Sequence, residues 1–234
     1  MSRYKRVLLK LSGEALSGAG QTGVDAARIQ RLAEVLSQIP ALGVQLGIVV
    51  GGGNFWRGRA YPEMDRVTAD QIGMLATTMN AMAISDALNQ AGAENRVLNA
   101  VMMNQITEPY IRKRALRHLD KGRIVIFAGG TGSPFFTTDS AAALRASEIE
   151  ADLILKATQV DGVYDSDPHQ NPAAQRYESL TLNEVLERNL GVMDATAAAL
   201  CRDNGIPILV FSIADPENIL KVLAGEALGT VVTV

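Results

Sequence analysis

The sequence predicts an α/β fold: a three-layer sandwich in which a mostly parallel central sheet lies between helices. Two observations predict it. Short β-branched runs alternate with longer segments of helical period along the chain, as in β–α units whose parallel strands need helical crossovers. Glycine-rich polar segments follow several of these runs directly, and open parallel sheets bind ligands at the carboxyl ends of their strands. The 234 residues suffice for one domain with two lobes, and no repeat, low-complexity tract or Pro/Ser linker divides them.

Strands are expected at Arg6–Leu11, Gln45–Val50, 96–101, 123–128, 152–156, 208–211 and 230–234. Helices are expected at 25–39, 69–91, 108–120, 139–150, 181–187, 194–204 and 216–224. In the first helix Ile29, Leu32, Val35, Leu36 and Ile39 fall on one face, and Asp25 is a good N-cap. In the second, Ile72, Met74, Leu75, Met79, Met82, Ala83 and Ile84 cover more than one face, so this helix is either deeply buried or part of a subunit interface. Thr181 and Glu184 have the spacing of a capping box.

Hydrophobic residues make up 47% and charged residues 20%, and the net charge is −3. Nothing in that balance points to nucleic acid or a membrane surface as a partner. A lone cysteine, Cys201, excludes an intramolecular disulfide and suits a reducing compartment; its run of small apolar neighbours reads as helix packing. Residues 2–11 superficially resemble a signal peptide, but Lys10 and Glu14 interrupt the apolar run. No stretch approaches the ~20 apolar residues of a membrane span. A cytoplasmic location is expected.

Five segments, and Asp70 beyond the second of them, could carry chemistry. Lys10, within an apolar strand and followed by Ser12-Gly13, is either an edge lysine reaching water or a phosphate contact; beside it Gly18, Ala19, Gly20, Gln21, Thr22 and Gly23 form a loop. Gly51-Gly52-Gly53, with Arg57 four residues after Gly53, reads as an anion cradle whose bare backbone can approach a ligand closely and adopt positive φ without strain, or as a flexible turn. Asp70, at the start of the long helix, is an N-terminal charge or an acceptor for ligand hydroxyls. The loop from Gly129 to Asp139 contains Phe135 and Phe136, an apolar wall for a planar base, and Thr138 or Asp139 can cap the helix behind it. Lys156 ends a strand and again suggests an anion; beyond it Tyr164 could flank a purine with Asp167 near its polar edge, although 161–168 is also normal turn chemistry. Asp194 is an N-cap or a charge aimed into the cleft. P-loop, protein-kinase and dinucleotide-binding signatures are absent from the sequence, and neither histidine lies in these segments.

The motifs Lys10-Leu-Ser-Gly-Glu-Ala-Leu16, Gly51-Gly-Gly-Asn54 with Arg57-Gly58, Asp70-Gln-Ile-Gly-Met-Leu-Ala76, Pro134-Phe-Phe-Thr-Thr-Asp-Ser140 and Lys156-Ala-Thr-x-Val-Asp-Gly-Val-Tyr164 span nearly the whole chain in order. They resemble the bacterial uridylate kinases of the amino-acid kinase superfamily. The resemblance implies one amino-acid kinase domain over 1–234, with an N-terminal UMP-binding and a C-terminal ATP-binding lobe, transferring the ATP γ-phosphoryl group to UMP with Mg2+. It implies that Lys10, Leu11, Ser12, Gly13, Gly53 and Arg57 face the ATP phosphates, and that Thr158, Tyr164 and Asp167 line the adenosine site. It places UMP against Gly52, Asp70, Thr131, Gly132, Ser133, Pro134, Phe135, Phe136, Thr137 and Thr138. The candidate catalytic set is Lys10, Arg57, Lys156, Asp139 and Asp194, with no metal ligand assigned. It further implies a homohexamer activated by GTP and inhibited by UTP, with 18–23 as the GTP-response segment. One position departs from the pattern: where the family usually has Asn, Ser133 lacks the amide's paired donor and acceptor. The expected contact to uracil shifts toward backbone groups of that loop. The alternatives are a kinase of carboxylates or carbamates, and a non-catalytic nucleotide- or anion-binding protein on the same fold.

Overall fold

The computed structural model describes residues 3–17, 22–168, 170–188 and 190–234. Among them one sheet has the strand order β4-β3-β5-β2-β1-β6-β8-β9-β7. The strands are β1 (Arg6–Leu11), β2 (Gln45–Val50), β3 (Asn95–Asn99), β4 (Glu108–Pro109), β5 (Ile124–Ala128), β6 (Leu153–Thr158), β7 (Ser179–Thr181), β8 (Ile208–Ser212) and β9 (Thr230–Thr233). Every neighbouring pair runs parallel except β8 and β9. The helices are α1 (Glu14–Ser17), α2 (Ala26–Leu36), α3 (Arg66–Gln90), α4 (Arg112–Asp120), α5 (Thr138–Glu148), α6 (Leu182–Glu187), α7 (Ala195–Asp203) and α8 (Asn218–Ala224). This is the α/β sandwich that the alternation predicts.

Strand alternation divides the core in two. From β1, Val7, Leu9 and Leu11 join the cluster that includes Leu32 and Leu36 of α2, Ile84 and Leu88 of α3 and Ile219 of α8. Leu8 faces the opposite cluster, with Leu119 of α4, Ala142 of α5, Val185 of α6 and Cys201 of α7. The apolar face of α2 is buried as expected, and the Asp25 side chain accepts the Arg28 N–H at its N-terminus. Burying each such Leu, Ile or Val contributes about 1.5–3 kcal/mol. The capping box of Thr181 and Glu184 is complete.

Three expected element boundaries need correction. The helix expected from residue 108 starts at Arg112, and Glu108 and Pro109 pair with β3 instead; the proline ring forces the residue before it into an extended conformation. The long helix starts at Arg66, capped by Asp65, so Asp70 lies inside it rather than at its start. At α5 the cap is Thr137, whose hydroxyl accepts the Asp139 and Ser140 N–H groups, not Thr138 or Asp139.

Candidate active site

Parallel register places Lys10 of β1 directly beside Lys156 of β6. Alternation sends both side chains to the α5 and α7 face, the face used by Leu8 and Ile154. The first turn of α5 lies there and contributes Asp139. Lys10 Nζ is 2.7 Å from Asp139 Oδ1, and Lys156 Nζ is 2.7 Å from Oδ2. All three side chains are largely buried, at 12%, 10% and 16% exposure for Lys10, Lys156 and Asp139. β1 is an interior strand, so Lys10 is not an edge lysine reaching water. Burial alone would raise the Asp139 carboxyl, but the Lys156 and Lys10 ammoniums outweigh it and hold it below its ordinary 3.8. Burial lowers Lys156 from 10.5, with Asp139 opposing. Lys156 Nζ also donates to the Val192 carbonyl.

Asp194 caps α7 by accepting the Ala197 N–H at 2.9 Å and also accepts from the hydroxyls of Thr137 and Ser140. Its oxygens join α7 to the start of α5, and it does not line either of the clefts described below. Its charge reaches the site only indirectly, favouring the ammonium form of Lys156.

The triple glycine serves close approach and does not use its freedom to adopt positive φ. None of Gly51, Gly52 and Gly53 has positive φ; close approach is what this corner of the fold requires. A Cβ at Gly52 would stand 2.8 Å from Ala76 Cβ, and one at Gly13 would stand 2.3 Å from Asn54 Oδ1. At Gly53 a Cβ would meet nothing within 4 Å, leaving that position open toward a ligand. The loop is anchored by two buried asparagines. Asn80 of α3 donates to the Gly51 carbonyl at 2.7 Å and to Asn54 Oδ1 at 2.7 Å, and Asn54 donates to the Gly23 carbonyl at 2.7 Å.

Two clefts open along the carboxyl ends of the strands. One, about 630 Å³, is lined by Lys10, Ser12, Lys156, Thr158, Tyr164 and Asp167 among others. The other, about 650 Å³, is lined by Gly52, Gly53, Arg57, Asp70, Thr131, Ser133, Phe136, Thr137 and Thr138 among others. Glu14 borders both. Gly53 and Arg57, expected beside the donor phosphates, therefore share a cleft with Gly52. Arg57 forms an ion pair with Glu14 and donates to the Gly53 carbonyl at 3.1 Å. Asp70 accepts the Phe135 N–H at 2.8 Å and pairs with Arg66 at 2.9 Å. Phe135 adopts φ 71°, a strained conformation for a non-glycine residue, and its ring is outside the cleft lining. Leu11 is buried in the sheet, Gly13 packs under Asn54, Gly132 packs on Ala100, and Pro134 also lies outside both linings. In the other cleft the Tyr164 hydroxyl donates to Asp161 at 2.6 Å and Thr158 donates to the Val160 carbonyl at 2.6 Å. The Ser12 hydroxyl is buried without a hydrogen-bond partner among the described residues. Of the loop 18–23, Gly18, Ala19, Gly20 and Gln21 lie outside the described residues; Gly23 is tied to the glycine loop through Asn54.

These paired clefts, with a bridged lysine pair at the end of adjacent parallel strands, can gather the charge of two phosphorylated ligands. The amino acid kinase family matches residues 5–212. The chain belongs to this family. Among solved structures, this amino acid kinase is similar to a UMP kinase from Bacillus anthracis, with 43% identity over 98% of this chain and 96% of that one and a TM-score of 0.94. A UMP kinase from Ureaplasma parvum is 42% identical over 99% and 100% of the two chains, with a TM-score of 0.93. A uridylate kinase from Archaeoglobus fulgidus is 30% identical over the full length of both, with a TM-score of 0.76.

Sequence reasoning missed Asn80 and Thr77 and gave no role to Glu14 and Asn54, which it met only as members of motifs. The signal for Asn80 was present, a polar amide among the buried Ala76, Ala81 and Ile84. The signal for Glu14 was not, because its partner is 43 residues away.

Proposed function

We propose that this phosphotransferase moves the γ-phosphoryl group of ATP to UMP, giving ADP and UDP, a step of pyrimidine nucleotide biosynthesis. The observation that carries the reading is a pair of nucleotide-sized clefts that share Glu14 at their border, one of them lined by the Lys10 and Lys156 pair that Asp139 bridges. Likeness to the two bacterial UMP kinases over nearly the whole chain supports it. ATP occupies the cleft of Thr158, Tyr164 and Asp167 in the C-terminal lobe, and UMP that of Asp70 and Thr131–Thr138 in the N-terminal lobe.

Both substrates are polyanions. Lys10 and Lys156 stabilise charge on the transferring group, the free Ser12 hydroxyl donates to a donor phosphate, and Arg57 exchanges Glu14 for an incoming phosphate. The nucleophile is an already ionised UMP oxygen, so no general base is required. Asp139 fits that economy: with both oxygens on ammoniums and its proton affinity lowered, it orients the lysines and accepts no proton. Among the described residues no group of three or more His, Cys, Asp or Glu side chains could hold a metal. Mg2+ would arrive as the ATP complex and would there offset phosphate charge.

A cytoplasmic homohexamer responding to GTP and UTP belongs to the same proposal. Exposed Leu75, Met79 and Met82, spaced along α3, support an oligomer contact. The Gly23–Asn54 bonds support communication between the effector segment and the glycine loop. No helix among the described residues is long and apolar enough to cross a membrane.

Coupled ADP release with UMP, CMP and dUMP, with and without GTP, tests the proposal. UMP-dependent turnover is expected. Binding of ATP and UMP without turnover would establish the non-catalytic alternative, and turnover of a carboxylate or carbamate in place of UMP would establish another branch of the family.

A further inference from the structure

Arg145, on α5, is only 4% exposed. Its Nη1 donates to Glu148 Oε2 at 2.6 Å, and its guanidinium carbon lies 3.8 Å from the centre of the Tyr110 ring. Tyr110 donates its hydroxyl to the same Glu148 oxygen at 2.5 Å. Glu148 balances the buried charge, yet a well-packed apolar side chain would commonly serve stability as well as such an ion pair. The contact outside this cluster is directed at the substrate loop: Nη2 donates to the Gly130 carbonyl at 3.3 Å.

Gly129, Gly130 and Gly132 adopt φ of 74°, 60° and 84°. Glycine-rich backbone turns its peptide planes at little energy, so a loop of this composition needs something to choose one orientation. In a planar trans peptide the carbonyl and the following N–H point in opposite directions. With the Gly130 carbonyl drawn down to Arg145, the Thr131 N–H is turned the other way, and both residues line the acceptor cleft. Two peptides earlier, the Gly129 N–H is held by the Thr77 hydroxyl at 3.0 Å.

We infer that Arg145 is a positioning residue for the acceptor base: by holding the Gly130 carbonyl it orients the peptide whose Thr131 N–H faces the cleft, where a donor suits a uracil carbonyl and repels the amino group of cytosine. The inference rests on the UMP reading of that cleft.

Steady-state kinetics of wild type, Arg145→Lys and Glu148→Gln with UMP and with CMP test it. Lysine keeps the charge but cannot bridge Glu148 and the carbonyl from a planar fork; glutamine leaves the guanidinium in place but less firmly held. For Arg145→Lys the UMP KM is expected to rise about tenfold and the UMP-over-CMP ratio of kcat/KM to fall about tenfold, with the ATP KM within about twofold of wild type. Glu148→Gln should move the same quantities in the same direction by less, and it carries the test if Arg145→Lys does not fold. Unchanged base preference in the folded variants, or parallel increases in both KM values, overturns the inference. A wild-type protein that does not phosphorylate UMP overturns the functional reading beneath it, a failure distinct from the first.

Discussion

Replacing Asp139 by asparagine removes the one anion between two lysines that strand register places side by side. Neighbouring strands are about 4.8 Å apart. Two ammoniums about 5 Å apart repel by about 3 kcal/mol at an effective dielectric constant of about 20. Breaking a buried ion pair by removing one partner ordinarily costs about 3–5 kcal/mol, in the same range. For a domain of this size that lowers Tm by about 6–12 °C or more.

The pH dependence should change as well. In the wild type Asp139 binds its proton less readily when folded than its ordinary 3.8, so its stabilising contribution is present above that pH and is lost as pH falls below it. The Asp139→Asn variant, with an amide that does not titrate, has no such acid limb. Lys156, already lowered from 10.5 by burial, also loses its nearest counter-charge, so the folded variant releases that proton before the unfolded chain does and gains stability as pH rises toward 10.5. Thermal denaturation from pH 3 to 10, with and without ATP, measures both limbs. A triphosphate should restore the missing negative charge and stabilise the variant more than it stabilises the wild type. An Asp139→Asn protein as stable as the wild type at neutral pH, with unchanged acid and alkaline limbs, would refute the reasoning.

Further outcomes follow from the same geometry. Lys10→Ala should lower kcat far more than it raises the UMP KM, and a nearly normal turnover number would remove Lys10 from the chemistry. Gly53→Ala meets open space and should leave Tm unchanged while weakening nucleotide binding, whereas Gly13→Ala drives a methyl into Asn54 and should cost about 1–3 kcal/mol of stability; equal Tm values for the two would contradict this assignment. Asp70→Asn should raise the UMP KM and leave the ATP KM unchanged, because its carboxylate holds the Phe135 N–H at the acceptor side. Cys201, buried in α7 with its thiol pushed up to about 12 chiefly by burial, should resist alkylation at pH 8 until the protein unfolds; rapid labelling of the native protein would show the helix to be open.

The sheet was legible because its signals are local. The β-branched runs at Arg6–Leu11 and Gln45–Val50 carry their period and their exits within a few residues. β4 and β7 were not legible, because two or three residues at a sheet edge have no period of their own and form only when β3 and β9 offer a ladder. Lys10 and Lys156 were legible as lysines unusual in apolar strands. That they share one carboxylate was not, since register and the capping of α5 by Thr137 bring Asp139 over them. The glycine cluster was legible as a place of close approach, and its composition also allowed a positive φ that none of the three residues uses. Backbone torsions depend on how α3 packs against the loop, through Ala76 and Asn80, and those residues lie in another element.

The Glu14–Arg57 pair has a kinetic consequence. Arg57 is 61% exposed and Glu14 43%, and a pair in that setting contributes less than about 1 kcal/mol. On the proposed function, with Arg57 receiving the acceptor phosphate, the cleft would act as an ion exchanger preloaded with a weak counter-ion. A lone monoanion gains little by displacing a carboxylate already in place, whereas a nucleotide that also engages Asp70 and the base loop can complete the exchange. When the phosphate departs, Glu14 is close enough to reclaim the guanidinium, whose Nε donates to the Gly53 carbonyl, so the fork returns to one orientation between turnovers.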